Sequence, residues 1–465
     1  MSARAAKRGG SGGSGEAGTS LLIHNARLVD RDIDCVGSLL VRDGVIVAVG
    51  LGRDACQPPD GTDSGVLPEV LDASGAVLMP AFVDLHAHFR DPGMTRKEDL
   101  ESGSRAAVAG GYATVVLMAN TEPACSDAAS AACVRARARA IGLVDAFQTV
   151  SLTRDLAGAE LTDLASLDRR EVPVVSEDGR EVASAARMLE AMRRAASSGV
   201  VVSCHCEDAD LASLARELRR EALSAGLTGS AARPLLAEAH ELLALAEDTM
   251  TVRNLEIASR ARCRVHLAHV STARSLEFVR RAKAAWREKA ASPARPCPVS
   301  CEVTPHHLAL TDELPAIVNP PLRGEADRLA LIAGILDGTV DAIATDHAPH
   351  TAEDKASGAP GFTGIQTAFS VVNTALVRAG HIGLSSLSSL MSASPAAILG
   401  LNRGLLRPGM DADFVLVDPD GEVRYGAGSG EPWFSKGLNS PFLGTPLHGI
   451  VLATFRAGSL VYRRP

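Results

Sequence analysis

Two histidines, His86 and His88, follow the apolar run Ala81–Leu85 and are separated by one residue. In an extended strand alternate side chains share a face, so both imidazoles point the same way and Ala87 points the opposite way. Two imidazoles on one face at the end of a strand form half of a site for a divalent metal such as Zn²⁺. The alternative for this pair alone is two solvated histidines in a loop. Residues elsewhere in the chain are needed to distinguish the two interpretations.

Eight apolar runs in the middle of the chain are predicted to be strands, because buried parallel strands are continuously apolar rather than alternating. Most of them are separated by helical stretches such as Ser184–Ala196 and Leu235–Ala261. This pattern predicts an α/β fold of the (β/α)8 TIM barrel type, with a doubly wound open sheet as the competing architecture. The runs are Ala81–Leu85, Ala113–Met118, Asp145–Leu152, Val172–Val175, Val200–Ser203, Arg264–Ala268, Val299–Val303 and Asp341–Ala344.

Polar residues follow almost every predicted strand, at the end where a barrel places its chemistry. An open sheet would not need them there. At least four histidines and two aspartates therefore converge on one mouth, and this donor set suits Zn²⁺, with a carboxylate able to bridge two ions. The third strand has no obvious candidate. In chain order the others are followed by His86, His88 and Arg90; Asn120; Asp178; His205; His269; Thr304–His307 and Asn319; and Asp346 and His350.

Several of these residues have a plainer interpretation. Asp178 precedes a glycine and could serve only in a turn. His205 lies between two cysteines, which strand alternation places on the opposite face as small core residues. His266 is oddly spaced from His269 and should face away from the mouth. His306 and His307 are expected on a loop, where a structural and a functional role are equally open.

Both ends of the chain carry short β-like segments. The sequences 42–44 and 457–459 are typical of turns. The pattern predicts a small β-sandwich domain from residues 20–79 and 400–465 around a barrel of residues 80–399, after a glycine-rich flexible tail of residues 1–19. The segments are Ser20–Ile23, Ser38–Val41, Val45–Val49, Val70–Leu78, Asp413–Val417 and Ile450–Tyr462.

The composition excludes several classes of protein. The chain has 465 residues and a net charge of −8, which argues against a nucleic-acid-binding surface. Hydrophobic residues make up 46%, enough for a large core, yet no apolar run is long enough to span a membrane. Nine cysteines without a paired framework are typical of a reducing compartment, and residues 1–19 lack the apolar core of a secretion signal. We therefore expect a cytoplasmic protein.

With these residues in place, the chain resembles the dihydroorotases of the amidohydrolase superfamily, in particular the longer-chain bacterial type. The resemblance runs from Met79 to about Pro408. It rests on seven segments in the family's order, and they are His86–Gly93, Met118–Pro123, Ser203–Asp208, His269–Thr272, Val303–Leu308, Asn319–Arg323 and Thr345–His350.

The resemblance implies two metal positions. One ion would be held by His86, His88, Asp178 and Asp346, and a second by Asp178, His205 and His269. Many relatives bridge the ions with a carboxylated lysine, but none of the six lysines of this chain lies in the third or fourth strand. Asp178 is the available bridge, chosen over Glu177 because it directly precedes the glycine. The stretch Lys289–Pro298 is interpreted as an insertion that avoids the motifs.

The family closes N-carbamoyl-L-aspartate to L-dihydroorotate and reopens it, so the resemblance implies a small-molecule substrate. It implies Asp346 as the group that moves the proton. Arg90 would hold the substrate carboxylate as a planar fork, unless a salt bridge to Asp91 or Asp99 occupies it. The segment Thr351–Gly361 is interpreted as a mobile loop, with an ordinary surface loop as the alternative. The other implied substrate-binding residues are Asn120, Asn319, His350, Pro360 and Gly361.

Two rival functions stay open from the sequence. One is another cyclic amidase, such as an allantoinase or hydantoinase, although those lack the Arg90–Asn120 pair and usually carry the bridging lysine. The other is an inactive scaffold for aspartate transcarbamoylase, although such proteins typically lose metal ligands and all six are present here. The resemblance also leads us to expect a homodimer and leaves open a complex with aspartate transcarbamoylase.

Overall fold

The computed structural model describes residues 20–52, 68–289 and 297–465, and its strands form one mixed sheet and two parallel sheets. The tail predicted for residues 1–19 lies outside the described residues, as does most of the predicted insertion, residues 290–296. No helix within the described ranges is long and apolar enough to cross a membrane.

The mixed sheet combines strands from both ends of the chain. Its order is β16-β15-β14-β5-β1-β2-β3, with β4 paired to β1. Strand β5 joins the two halves, because it is parallel to β1 and antiparallel to β14. The strands are β1 Ser20–Val29, β2 Asp34–Arg42, β3 Val45–Leu51, β4 Glu69–Asp72, β5 Val77–Pro80, β14 Phe414–Val423, β15 Leu447–Arg456 and β16 Ser459–Arg463.

One face of this sheet buries an apolar cluster that includes Ile23, Leu78 and Phe414. The prediction of a single strand over Val70–Leu78 is wrong, because Ser74 and Gly75 both have positive φ and make a turn between β4 and β5. That both chain ends supply one sheet agrees with the predicted small β domain. Its two-layer sandwich arrangement stays a prediction.

Each of the eight predicted runs overlaps one parallel strand, although β8 ends at Gln148, four residues before the predicted end at Leu152. One sheet has the order β6-β7-β8 and the other β13-β12-β11-β10-β9. Strands β6 and β7 are buried along their whole length, as expected for strands covered on both faces. The chain is therefore α/β with parallel strands. The bounds are β6 Phe82–Ala87, β7 Tyr112–Leu117, β8 Asp145–Gln148, β9 Val174–Ser176, β10 Val201–Cys204, β11 Arg264–Leu267, β12 Val299–Val303 and β13 Ala342–Ile343.

Helices follow most of these strands, and the two that were singled out from the sequence are confirmed as α3 and α5. Ser184 caps α3 by accepting a hydrogen bond from the backbone N–H of Arg187. The α-helices are α1 Leu100–Ala109, α2 Ala128–Ile141, α3 Ala185–Ser198, α4 Ala209–Ser224, α5 Ala232–Ala261, α6 Ala273–Lys289, α7 Pro305–Ala309, α8 Glu325–Leu336, α9 Ala352–Ala356, α10 Ala368–Val372, α11 Leu384–Ser388 and α12 Ser394–Leu399.

Two segments that were expected to be loops contain short helices. His306 and His307 lie in α7, not on a loop, because Thr304 caps the helix and Pro305 occupies its first turn. Thr351 and Asp354 form a capping box that starts α9 within the segment expected to be a mobile loop. Both helix-start signals are visible in the sequence. They favour a helix in these segments even though the segments are rich in polar residues.

Candidate metal and substrate site

Six side chains meet at the carboxyl ends of five parallel strands. Each of the six is at most 6% exposed, so the cluster is shielded from bulk solvent. His86 and Asp346, 260 positions apart, become neighbours because a parallel bridge joins Ala87 at the end of β6 to His347 after β13. The six are His86 and His88 at the end of β6, Asp178 after β9, His205 after β10, His269 after β11 and Asp346 after β13.

The Asp178 carboxylate lies at the centre of the four histidines. Its Oδ1 is 3.3 Å from Nε2 of His86, 3.5 Å from Nδ1 of His205 and 3.8 Å from Nε2 of His269. Its Oδ2 is 3.6 Å from Nε2 of His88. One carboxylate thus reaches both halves of the cluster, as a bridge between two ions has to do.

Asp346 closes one half of the cluster. Its Oδ1 lies 3.2 Å from Nε2 of His88 and 3.7 Å from Nε2 of His86. Two groups of three ligand atoms result, one of His86, His88 and Asp346, the other of His86, Asp178 and His269. Each of these two groups could hold one metal ion, so the cluster could hold one ion or two.

The donor set fits a divalent metal. Nδ1 of His205 and Nε2 of His269 face each other at 2.9 Å, so two nitrogens that can each offer a lone pair point at the same place. Nε2 of His86 and Oδ1 of Asp178 are buried without a hydrogen-bond partner among the described residues. A metal would satisfy these buried atoms, which otherwise cost free energy.

The two aspartates of the cluster are in the charged form that a metal site requires. Burial alone would raise the pKa of Asp178, but the charge of His86 and the close approach of His205 and His269 hold it well below its ordinary value. Burial likewise opposes ionisation of Asp346, but the hydrogen bond from His88 and the charges of His86, His88 and His269 together outweigh it, so that its pKa is also lowered. Both carboxylates are ionised, as metal ligands must be.

The backbone at the site is strained. Arg90, His269 and Asp346 all adopt positive φ, at 58°, 35° and 45°. Non-glycine residues in this region cost about 1–3 kcal/mol each and cluster at functional sites, where the surrounding structure enforces them. Three such residues around one cluster indicate that the backbone geometry of the site is maintained at a cost in the free energy of folding.

Glu177 does not compete with its neighbour for the metal position. Its carboxylate accepts hydrogen bonds from the backbone N–H of Thr153, at 2.9 Å, and from the Thr153 hydroxyl. Successive residues point to opposite sides of an extended segment, so only Asp178 faces the histidines. The structure thus places the chosen residue of the pair, Asp178, in the cluster.

Glu302 on β12 lies behind the cluster. Its Oε1 is 3.5 Å from Nδ1 of His86, and its Oε2 is 3.0 Å from Nε2 of His266. Burial opposes the charge of Glu302, but the charges of His266 and His86 lower its pKa to about 2. A carboxylate on the outer nitrogen of a ligand histidine fixes its tautomer and orientation. His266 accordingly contacts Glu302 rather than the other ligands, in agreement with its expected direction.

Arg90 is free of the salt bridges that were its alternative interpretation. Asp91 pairs with Arg137 at 2.7 Å, and Asp99 pairs with Lys436 at 2.5 Å. The guanidinium of Arg90 lies against His350 instead, with 3.2 Å between the Arg90 terminal nitrogen and Nε2 of the imidazole. Burial lowers the pKa of Arg90 to about 10, which leaves it positive at neutral pH.

His350 stays neutral beside Arg90. Burial, followed by the charges of Arg90 and Lys97, lowers the pKa of His350 to about 3. Its Nε2 lies 3.0 Å from the carbonyl oxygen of Pro360. Arg90 and His350 therefore form one polar unit, positive overall, at the edge of the ligand cluster.

The two asparagines are already engaged by the protein. Asn120 lies among the ligands, with Oδ1 2.9 Å from Nδ1 of His88 and with Nδ2 donating to Asp178 at 3.0 Å. Asn319 accepts from Arg219 at 2.5 Å and donates to Glu207 at 2.9 Å. The structure brings both asparagines to the site but shows them holding other side chains.

The segment around Pro360 and Gly361 accepts several hydrogen bonds from one lysine, and its mobility stays a prediction. The ammonium of Lys355 donates to the carbonyl oxygens of Ile317, Ala359 and Gly361 at 2.6–3.0 Å. Gly361 has φ +128°, and a Cβ there would lie 2.6 Å from Cβ of Ala348, so only glycine fits. The backbone at Gly361 thus closely approaches Ala348, which lies two residues after Asp346 in the chain.

Comparison with known proteins decides the family. A model of the family described as dihydro-orotase-like matches residues 75–219. The chain is 39% identical over 448 residues to a dihydroorotase of Clostridium botulinum, covering 96% of this chain and 100% of the relative. The chain belongs to the dihydroorotase family. A dihydroorotase of Citrifermentans bemidjiense is 36% identical over 456 residues, with 96% and 100% covered.

The chain also shares its fold with solved structures of a hydantoinase and a dihydropyrimidinase. The L-hydantoinase (dihydropyrimidinase) from Arthrobacter aurescens superposes with a TM-score of 0.79 at 24% identity, over 96% of each chain. The dihydropyrimidinase from Brevibacillus agri gives a TM-score of 0.77 at 23% identity, over 96% of this chain and 95% of that one. At this identity the likeness concerns the fold alone.

Sequence reasoning missed three charged residues that support the dihydroorotase-family site, namely Glu302, Glu207 and Arg219. Each is at least partly buried and contacts a residue that the motifs had identified. The available signal was weak. Glu302 is a carboxylate inside an apolar strand, Glu207 follows His205 by two positions, and Arg219 lies on the buried face of α4.

Proposed function

We propose that this protein is a dihydroorotase that interconverts N-carbamoyl-L-aspartate and L-dihydroorotate in pyrimidine biosynthesis. The observation that carries the proposal is the Asp178 carboxylate within 3.3–3.8 Å of four histidine nitrogens, with Asp346 on one side. The names of the near-full-length relatives support the same substrate. The metal is proposed to be Zn²⁺, as one or two ions for each chain.

The ligands are proposed to divide between two positions. His86, His88, Asp178 and Asp346 would hold one ion, and Asp178, His205 and His269 the other. When bound, divalent metals lower the pKa of water and polarise a carbonyl group, which is the chemistry that ring opening of an amide requires. Glu302, with its Oε1 3.5 Å from Nδ1 of His86, is proposed to favour the tautomer of this imidazole that presents Nε2.

Asp346 is proposed to move the proton. In the hydrolytic direction it takes a proton from the attacking water and returns it to the leaving ring nitrogen. Its lowered pKa keeps it ionised and able to accept that proton. Its carboxylate lies against His88, so the base is fixed in direction before the substrate arrives.

Arg90 and His350 are proposed to bind the substrate carboxylate. A guanidinium offers two parallel donors to a carboxylate, and this one has no carboxylate partner within salt-bridge distance among the described residues. Asn120 and Asn319 are proposed to exchange one of their present hydrogen bonds for one to the substrate. The backbone of Pro360 and Gly361 is proposed to line the ring.

The two parallel sheets are proposed to close into a (β/α)8 barrel over residues 80–399, with residues 20–79 and 400–465 as the β domain. Parallel bridges support this, because Val150 pairs with Val175 between β8 and β9, and Ala87 pairs with His347 between β6 and the end of β13. The homodimer, the aspartate transcarbamoylase complex and the cytoplasmic location stay predictions of the sequence.

The rival cyclic amidases are less well supported. Their structures resemble this one at 24% identity or less, whereas the dihydroorotase relatives reach 39%. The Arg90–His350 unit suits a substrate with a carboxylate, which hydantoin and dihydrouracil lack. All six ligands of the proposed metal centre are present and converge, which disfavours an inactive scaffold.

The deciding experiment is a turnover assay on the purified, metal-analysed protein. We expect hydrolysis of L-dihydroorotate, at least ~100-fold faster in kcat/KM than hydrolysis of hydantoin, allantoin or dihydrouracil. That ratio is about 2.7 kcal/mol of transition-state discrimination. Metal analysis should give one or two zinc ions per chain, and chelation should remove activity. Faster turnover of a ring without a carboxylate would refute the proposal, as would no turnover at all with zinc bound.

Arg90→Lys tests the carboxylate contact. Lysine keeps the charge but loses the planar pair of donors, so we expect kcat/KM for L-dihydroorotate to fall at least ~10-fold, about 1.4 kcal/mol. Arg105→Lys is the control, because Arg105 is an exposed arginine that pairs with Glu101 on α1. Unchanged kinetics in Arg90→Lys would show that another group holds the carboxylate.

A further inference from the structure

His306 carries a polar atom that the proposed mechanism does not use. The side chain is 3% exposed and lies in α7, the short helix that follows β12. Its Nε2 is buried and has no hydrogen-bond partner among the described residues. Buried polar atoms of this kind are rare, and each one in a folded protein calls for a partner.

The neighbouring His307 shows what a structural histidine looks like at this place. Its Nδ1 lies 2.7 Å from the hydroxyl of Thr304, and its Nε2 lies 3.2 Å from the carbonyl oxygens of Pro320 and Pro321. Both ring nitrogens are used, and they fix the segment that carries Asn319. The two adjacent histidines therefore differ: His307 is fully partnered and His306 is not.

His306 lies beside the segment that follows the proposed substrate-lining residues Pro360 and Gly361. Its ring centroid lies 5.3 Å from that of Phe362, at 80°, and Phe362 directly follows Gly361. Burial and the nearby His307 lower the pKa of His306 well below its ordinary value, with Asp346 and His269 close enough for their charges to act on it. The imidazole is neutral, so each ring nitrogen is either a donor or an acceptor.

We propose that His306 is a substrate-binding residue, and that its Nε2 hydrogen-bonds the amide edge of the cyclic substrate. The inference rests on the proposed function and deepens it. A ring amide presents a carbonyl oxygen and an N–H side by side, so a neutral imidazole matches it in either tautomer. Arg90 and His350 then bind the carboxylate end, and His306 binds the ring.

The test compares His306→Leu with His306→Gln. Leucine retains the apolar contact with Phe362 and has no polar atom, whereas glutamine retains a donor and an acceptor. We expect His306→Leu to raise KM for L-dihydroorotate and Kd for orotate, a ring that cannot be hydrolysed, at least ~10-fold each, equivalent to about 1.4 kcal/mol. His306→Gln should recover part of the loss. Zinc content and Tm should match the parent in both variants.

His240→Leu is the matched control, because His240 on α5 also has a buried Nε2 without a partner among the described residues. It should keep the parental KM. Parental KM and orotate Kd in His306→Leu would overturn the inference. So would a loss of affinity that tracks a fall in zinc content or Tm, since that is the mark of a structural role. If the parent itself does not turn over L-dihydroorotate, the proposed function fails before the variants are compared.

Discussion

Asp178→Ala is expected to lose its metal and all measurable turnover. Among the described residues Asp178 is the one carboxylate within 3.8 Å of all four histidines, so its removal takes a ligand from both proposed metal positions at once. It also leaves four imidazoles around a centre that has lost one of its two carboxylates. Loss of residues that merely support a ligand already costs 10–100-fold in metal affinity, and loss of a bridging ligand should cost at least ~100-fold. Metal analysis after dialysis, with a turnover assay, measures both effects.

Glu177→Gln is the control for this experiment, since Glu177 is the adjacent buried carboxyl and bonds Thr153 instead of the histidines. It should retain zinc and most of the activity. Comparing Tm of the chelated forms separates loss of metal from loss of folding, because the chelated parent and chelated Asp178→Ala should melt at similar temperatures. Stoichiometric zinc and normal turnover in Asp178→Ala would remove Asp178 from the metal centre.

The convergence of the six proposed ligands could be predicted from sequence because most of them obey a local rule. His86 and His88 share a face through the strand period of two, and Asp178 is directed by the glycine that follows it. The apolar runs identified the parallel strands, and the rule that chemistry lies at their carboxyl ends brought the ligands together. The same local rules would have identified α7, where Thr304 and Pro305 are a strong start signal.

The supporting contacts could not be predicted in this way. Asn319 meets Arg219 across 100 positions, and His86 meets Glu302 across more than 200. Such pairs depend on which side chains face each other after the helices pack on the strands, and no periodicity specifies that. The engagement of Asn120 by His88 and Asp178 belongs to the same class, since the motif indicates the residue but not its partner.

Asp346→Asn separates the chemistry from the assembly of the site. Asparagine keeps the shape and one oxygen donor, so we expect much of the zinc to remain. It cannot accept a proton at neutral pH, so kcat should fall by a factor on the order of 10² or more, about 2.7 kcal/mol. The KM should change little, because the substrate carboxylate and ring are bound by other residues. Zinc content, kcat and KM measured on one preparation test all three statements.

Comparing Asp346→Asn with Asp178→Ala distinguishes loss of proton transfer from loss of the metal. Both changes remove a carboxylate from the cluster, but Asp178 lies within 3.8 Å of all four histidines, whereas the Asp346 carboxylate lies against His86 and His88. A variant that binds zinc and substrate yet turns over slowly has lost the proton transfer, not the centre. If Asp346→Asn keeps its zinc and nearly parental kcat, another group moves the proton. His350 would then be the next candidate, since it is neutral and lies beside the proposed carboxylate-binding arginine.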